Sequence, residues 1–209
     1  MTLPQRIVSL LPSATEILFA LGVGDRVVGV TYECTVPEEA SSRPHVTDTI
    51  IDVGATPAEI DATIKQAIAD GRELYTLDRD LLASLEPDLL ITQDLCRVCA
   101  LPAGSAAEAL VELGLSCDVH HFDPKTLDGV LAGIDEIAER VGADQAITAE
   151  LRTRLDAITT GDHGVGTEDG TRPTVLLLEW TDPPFGPGHW IPDQVQLAGG
   201  TPVLSLIHI

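Results

Sequence analysis

The chain has 209 residues, and its 33 Asp and Glu outnumber its 12 Lys and Arg, which gives a formal net charge of −21. This balance excludes binding to nucleic acid or anionic lipid through clustered cations, because both polyanions attract Lys and Arg. A hydrophobic content of 44% excludes the composition typical of disordered chains. Only Lys65 and Lys125 are lysines, so the acidic surface indicates either adaptation to high salt or an ordinary acidic protein.

The opening segment predicts a strand, a helix and a second strand, an order that favours a parallel sheet. The apolar runs at residues 6–10 and 27–31 predict the two strands. Between them, Ser13 and Glu16 have the spacing of a capping box, in which a Ser side chain caps the first turn of a helix. Gly22 marks the expected end of that helix.

The same alternation of strands and helices continues to about residue 125. Thr56 and Glu59 form a second capping box at the start of a helix that runs to Asp70. Apolar segments further predict strands at 73–77, 88–92 and 117–122, and helices at 80–85 and 105–113. We therefore place an N-terminal α/β lobe at residues 1–125.

The rest of the chain predicts a helical segment followed by the beginning of a second lobe. Apolar residues at helical spacing predict helices at 126–141 and 143–159 within a helical segment at 126–160, and Gly and acidic residues predict a loop at 161–172. A buried strand at 174–179, a Pro-rich loop at 183–188 and a helix at 190–197 follow. Because one strand cannot form a sheet, we expect 173–203 to be the start of an incomplete lobe. The residues 204–209 resemble the translation of a sequencing-library end, and we interpret them as a non-native tail.

The turns that follow the first two predicted strands are candidate binding loops. Ligands of open parallel sheets bind beyond the carboxyl ends of the strands. Ser13 follows the first strand, and Tyr32 and Glu33 follow the second. An aromatic ring in such a loop can stack on a flat ligand, although Tyr32 could equally pack on its own domain. Ser13 could equally be a plain helix cap.

A third candidate is the thiol pair Cys96 and Cys99, which follows the predicted strand at 88–92. A CxxC pair could be a redox dithiol, half of a metal site or a disulfide. A zinc site needs two more ligands, and Cys34 is one residue that the fold could bring near. The position in mid-domain favours a thiol pair that shapes its loop, or a disulfide.

Aromatic residues concentrate near residue 185. Trp180, Phe185 and Trp190 lie within eleven residues of a chain whose aromatic content is 3%, and His189 lies among them. Prolines between them would hold the rings rigidly. This concentration predicts a surface for a large, flat or apolar ligand, or else a local core of the second lobe.

Motifs of catalysis are missing from the sequence. It contains no GxSxG, HExxH, P-loop or kinase motif. His120 and His121 are neighbours on a predicted strand, where successive side chains point to opposite faces. The two imidazoles are therefore poorly placed to bind the same metal ion. We therefore expect no enzyme activity, no catalytic cofactor and no metal site.

Three segments resemble the substrate-binding proteins of iron-siderophore and vitamin B12 ABC importers. Residues 6–30 (RIVSLLPSATEILFALGVGDRVVGV) resemble the opening of these proteins, and 86–92 (EPDLLIT) resemble a recurrent strand. Residues 180–200 (WTDPPFGPGHWIPDQVQLAGG) resemble the start of their second lobe. The cobalamin-binding branch shows the greatest similarity, because it also shares the loops around Tyr32 and around Cys96 and Cys99.

The resemblance implies a fold of two Rossmann-like α/β lobes with parallel sheets, joined by one long helix, with the ligand in the cleft between them. The helix at 143–159 lies where that connecting helix is expected. If the chain is a member of this family, we expect its first lobe to be complete and its second lobe to be incomplete and truncated. The family acts outside the cytoplasm, in the periplasm or at the cell surface, whereas the chain as written has no signal peptide and predicts a cytoplasmic protein without membrane insertion.

The resemblance also implies a function and its residues. The chain would bind cobalamin or a related corrinoid as a monomer and deliver it to the permease of an ABC importer. The corresponding ligand-binding positions are Ser13, Tyr32, Glu33, Trp180, Phe185, His189 and Trp190, and loose candidates for docking to the transporter are Glu33, Glu38 and Asp193. Two alternatives remain: a haem or ferric-siderophore binding protein of the same fold, and a cytoplasmic corrinoid-handling protein or enzyme that uses Cys96 and Cys99.

Overall fold

The computed structural model describes residues 2–52, 54–93, 103–160 and 171–203. Contacts between Cα atoms divide the chain into two units. Unit 1 comprises Met1–Gly54, Ala62–Asp123 and Glu136–Asp144, and unit 2 comprises Ala55–Asp61, Pro124–Asp135 and Gln145–Ile209. Cys96, Cys99 and the segment 204–209 lie outside the described residues.

A four-stranded parallel sheet forms the centre of unit 1. Its strands are β1 (Ile7–Ser9), β2 (Val27–Val30), β5 (Leu89–Thr92) and β6 (Asp118–His121), in the order β2-β1-β5-β6. A separate antiparallel pair joins β3 (Thr47–Thr49) to β4 (Tyr75–Leu77). The predicted parallel α/β arrangement is confirmed, whereas β3 was not predicted from the sequence.

Helices cover both faces of this sheet, and the strand residues alternate between two apolar clusters. Ile7 and Ile91 pack with helix α1 (Pro12–Ala20) and with the end of helix α5 (Leu127–Val141). Val8 and Leu90 face the opposite side, where the helices are α2 (Pro57–Ala69), α3 (Arg79–Leu85) and α4 (Ala103–Glu112). This alternation follows from the pleat of the strands, and it explains why they are buried on both sides.

The two predicted capping boxes have different outcomes. The box of α2 is confirmed, because the Thr56 N–H donates to Glu59 Oε2 at 2.8 Å and the Thr56 hydroxyl donates to the same oxygen at 2.7 Å. The box at Ser13 is wrong: the N-cap of α1 is Leu11, and no side chain caps it. Pro12 explains the difference, because its fixed φ suits the first helical position and starts the helix before Ser13.

Within its described residues, unit 2 contains helix α6 (Ala146–Thr160), four short strands and helix α7 (Ile191–Leu197). Strand β7 (Thr174–Val175) pairs in parallel with β10 (Thr201–Pro202), and β8 (Trp180–Thr181) pairs with β9 (Pro184–Phe185) as a hairpin. The expectation of a single strand in this segment is therefore wrong. The expected buried strand at 174–179 is also wrong, since it ends at Val175 and leaves three exposed leucines, Leu176, Leu177 and Leu178.

Helix α5 contributes residues to both units, whereas α6 lies wholly in unit 2. The Leu127 N–H at the start of α5 donates to Asp193 Oδ2 of α7 at 2.8 Å, a contact within unit 2. A carboxylate at this place satisfies one of the free N–H groups of the first turn. Asp193 thus holds the beginning of α5 against α7.

Candidate functional site

A buried cluster of hydroxyl and thiol groups lies at the carboxyl end of β1. The Thr15 hydroxyl donates to Ser9 Oγ at 2.8 Å and lies 3.0 Å from Cys34 Sγ. All three side chains are buried. Because Thr15 belongs to α1 and Cys34 to the turn after β2, the cluster fixes that turn against the helix.

A second contact fixes the same turn from the other side. The hydroxyls of Thr31 and Thr47 lie 2.6 Å apart and are buried, which joins the residue after β2 to strand β3. The Thr31 N–H also donates to Ser9 O at 3.0 Å, and this bond extends the ladder between β1 and β2. Tyr32 and Glu33 therefore lie between two anchored residues, Thr31 and Cys34.

Tyr32 is half-buried, and its ring faces that of Tyr75 on β4. The two ring centroids are 6.4 Å apart and the planes are inclined at 31°, a tilted aromatic pair. Burial and the adjacent Glu33 carboxylate raise the pKa of Tyr32 to about 12. Burial likewise raises the pKa of Glu33 above its ordinary value, while its hydrogen bond from Tyr32 opposes that rise. The Tyr32 phenol thus remains a hydrogen-bond donor at physiological pH.

A cavity of about 430 Å³ opens beside Tyr32 in unit 1. Its walls combine an aromatic ring with hydroxyl, imidazole and carboxylate groups: Tyr32, His45, Thr47, Asp48, Thr76, Leu77 and Asp78. Strands β3 and β4 supply most of these residues. The β3 and β4 residues of this lining were not predicted from the sequence, although the β-branched residues Val46, Thr47 and Thr49 were a weak strand signal.

The aromatic residues of unit 2 lie on and after the β8–β9 hairpin. Trp180 and Phe185 are directly opposite each other in the antiparallel pair. The Trp180 indole N–H donates to the carbonyl oxygen of Asp182 at 3.0 Å, which fixes the ring over the hairpin turn. Both side chains are half-buried, so part of each ring remains accessible.

His189 and Trp190 form a second aromatic pair in unit 2. Their ring centroids are 5.7 Å apart at 40°. The backbone of His189 has φ of 53°, in the left-handed region, and Trp190 is the N-cap residue of α7. The turn between the hairpin and α7 therefore sets the direction of both rings.

The remaining candidate residues lie elsewhere in their own units. Ser13 is exposed in the first turn of α1, and Glu38 is exposed at the start of the 3-10 helix Glu38–Ser42 in unit 1. Asp193 is half-buried and holds α5, as described above. Unit 1 thus brings together Tyr32 and Glu33, and unit 2 brings together Trp180 with Phe185 and His189 with Trp190.

Metal-ligating clusters and membrane-spanning helices are both absent from the described part of the chain. No group of three or more His, Cys, Asp or Glu side chains there could hold a metal ion. No helix within the same residues has the length and hydropathy needed to cross a bilayer.

No family model matches the chain, whereas individual proteins do. A vitamin B12-binding protein of Vibrio campbellii is 28% identical over 158 residues, which is 74% of this chain and 46% of that protein. A cobalamin-binding protein of Halobacterium salinarum is 28% identical over 201 residues, 94% of this chain and 45% of the relative. An uncharacterized ABC transporter substrate-binding lipoprotein of Bacillus subtilis is 52% identical over 50 residues, 24% of this chain and 16% of that protein.

Solved structures show the same fold. The periplasmic vitamin B12-binding protein BtuF of Vibrio cholerae matches with a TM-score of 0.67 and 22% identity, covering 99% of this chain and 68% of that structure. The periplasmic haem-binding protein HutB of Vibrio cholerae matches with a TM-score of 0.65 and 22% identity, covering 96% and 66%. The predicted fold class, that of the periplasmic binding proteins, is confirmed by these matches. The chain spans about half the length of the Vibrio campbellii and Halobacterium relatives and about two thirds of the solved chains.

Proposed function

We propose, from the premise that this chain belongs to the substrate-binding proteins of ABC importers, that it binds a corrinoid of the cobalamin type for import. The observation that carries the proposal is the match to a cobalamin-binding protein over 94% of the chain. Proteins of this family bind their small molecule and do not transform it, so we infer that no catalysis is involved.

The surface around Tyr32 supports this proposal in unit 1. A corrinoid is a broad and largely apolar ring system with polar groups at its rim. Tyr32 offers a partly exposed ring that is held in place by anchored neighbours, and the adjacent cavity offers hydrogen-bonding groups. A rigid aromatic side chain loses little entropy on binding, which suits it to a flat ligand.

The aromatic residues of unit 2 support it independently. Trp180, Phe185 and Trp190 expose parts of their rings on short, hydrogen-bonded turns. Such aromatic surfaces are typical of sites for large ligands with apolar faces. We infer that this aromatic surface of unit 2 is a corrinoid-contacting surface.

The partner and the location follow from the family. We infer that the loaded protein delivers its ligand to an importer permease outside the cytoplasm, which fits the periplasmic location that the name of the BtuF relative gives. Exposed carboxylates such as Glu33 and Glu38 remain candidates for that docking. A pull-down of the permease by the chain, compared with its Glu38→Gln variant, tests this role.

Absorbance titration tests the ligand directly. Cyanocobalamin, aquacobalamin and haem are each added to the purified chain, and the spectrum and the melting temperature are recorded. We expect both cobalamins to shift the spectrum and raise the melting temperature, because a ligand that binds only the native state stabilises it. Saturation by haem with no response to either cobalamin would establish the haem alternative instead.

Two variants complete the experiment. Tyr32→Phe keeps the ring and removes only the hydroxyl, whereas Tyr32→Ala removes the stacking surface. We expect Ala to weaken corrinoid binding by at least about tenfold, the equivalent of 1.4 kcal/mol, and Phe to weaken it less. Val111→Ala on the outside of α4, at a residue 79% exposed, is the control that should bind normally.

A further inference from the structure

The cavity beside Tyr32 is rich in hydrogen-bond acceptors. Asp48 lies directly opposite Thr76 in the pairing of β3 with β4, and Thr47 lies opposite Leu77. The next residue, Asp78, is held to the sheet by its N–H, which donates to Val46 O at 2.8 Å. Both carboxylates are therefore carried on backbone that hydrogen bonds fix in position.

The bonds of these two carboxylates leave capacity for a ligand. Asp48 Oδ1 accepts from the Thr49 N–H at 2.8 Å, and Asp78 Oδ1 accepts from the Leu81 N–H at 2.9 Å as the N-cap of α3. Neither residue has an ion pair with any Lys or Arg among the described residues. A carboxylate has about four acceptor positions, so each retains room for further donors.

The carboxylates of the cavity lining are not balanced by any Lys or Arg in that lining. The lining includes two carboxylates and no Lys or Arg, and the Glu33 carboxylate adds a third negative charge through its hydrogen bond to Tyr32. Like charges at contact distance repel, and because Asp48 and Asp78 are exposed, dissolved salt screens this repulsion. Carboxylates bind N–H donors strongly for the same electrostatic reason.

The geometry points to a selection rule for the ligand. We propose that this cavity receives hydrogen-bond donor groups, such as the primary amides at a corrinoid's rim, and that Asp48 and Asp78 reject ligands that carry carboxylates at the same place. This inference rests on the proposed function and adds to it a rule for which ligands the cavity accepts. Haem, with its two propionates, and carboxylate-bearing siderophores fall in the rejected class.

Corrinoids that differ by one charge test the rule. Partial hydrolysis of cyanocobalamin converts one rim amide into a carboxylate, and the separated monocarboxylic acids are titrated beside cyanocobalamin. We expect the parent chain to bind at least one of these acids about tenfold or more weakly than cyanocobalamin, and the difference to shrink in high salt. Asp48→Asn and Asp78→Asn should each reduce the difference severalfold, since Asn removes the charge and still accepts the local N–H.

The control and the outcomes separate the two proposals. Glu108→Gln, at an exposed residue of α4, changes the net charge equally and should leave the difference unchanged. Equal binding of all the acids and of cyanocobalamin, or equal effects of all three variants, would overturn the rule while leaving corrinoid binding intact. A chain that binds no corrinoid at all would overturn the proposed function, and the rule with it.

Discussion

The Thr15 hydroxyl lies 3.0 Å from the Cys34 sulfur, in the buried interior where α1 meets the turn after β2. The same hydroxyl donates to Ser9 on β1, so one oxygen joins a strand, a helix and a loop. Because this cluster positions the loop that carries Tyr32 and Glu33, its loss should affect both stability and ligand binding.

Replacing Thr15 with Val tests the cluster. The substitution keeps the shape but removes the hydrogen bond to Ser9 and the contact with Cys34, while the Ser9 hydroxyl still donates to the Leu11 carbonyl oxygen. The loss of a buried hydrogen bond costs about 0.5–1.5 kcal/mol. We expect the free energy of unfolding in urea to fall by that amount. Thr15→Ser retains the hydroxyl and should lose less. Equal stability of the Val variant and the parent chain would show that the cluster contributes nothing.

His120 should make the stability of unit 1 depend on pH. It is 5% exposed on β6, and its Nε2 has no hydrogen-bond partner among the described residues. Burial lowers the pKa of His120, and the positive charge of Arg140 lowers it further, whereas Glu136 and Asp118 partly oppose the shift. The unfolded chain therefore binds the proton more tightly than the folded one.

The sign of the effect follows from that difference. The free energy of unfolding should be highest above the unfolded pKa of about 6.5 and should decrease as the pH falls below it towards the lower folded pKa. His120→Gln removes the titrating group and should flatten this part of the profile. His45→Gln, at an exposed position, is the control. A His120→Gln profile as steep as that of the parent chain would exclude this role.

The two tyrosines should resist ionisation. Burial, with the neighbouring Glu33, raises the pKa of Tyr32 to about 12, and burial also raises the pKa of Tyr75 above its ordinary value. We expect no tyrosinate absorbance below about pH 11 while the fold persists, although free tyrosine ionises near pH 10. A tyrosinate step near pH 10 in the folded chain would contradict the packing of this pair.

Asp193 should stabilise unit 2 through the start of α5. Its carboxylate accepts the Leu127 N–H at 2.8 Å, so Asp193→Ala leaves that donor free. Loss of such a cap costs about 0.5–2 kcal/mol, whereas Asp193→Asn keeps an acceptor and should cost less. Thermal unfolding of the two variants checks the order. If Asn were as damaging as Ala, the negative charge and not the hydrogen bond would be the important property.

Salt should stabilise the whole chain. At a net charge of −21, dissolved ions screen the repulsion among surface carboxylates. We expect the melting temperature to rise steadily from dilute buffer to molar potassium chloride. A melting temperature that is flat or falls over that range would argue for an ordinary acidic protein.

The sequence predicted the parallel strands and helices of unit 1 because their apolar residues form short runs or recur at helical spacing. It could not predict β3, whose residues are Thr, Asp and Thr, because its pairing with β4 depends on a segment more than twenty residues away. For the same reason, Tyr32 was predicted as a candidate but its ring partner Tyr75 was not. The capping box at Ser13 failed because Pro12 has a stronger backbone preference than Ser13 has as a cap.

The exposed run Leu176, Leu177 and Leu178 has a consequence for how the protein behaves at high concentration. These side chains are 54%, 42% and 48% exposed, next to a strand only two residues long. An apolar run beside a strand edge promotes association between copies. The large negative charge keeps the copies apart, so the same salt that stabilises the fold weakens the barrier to aggregation. Storage and crystallisation of the chain therefore call for an intermediate ionic strength.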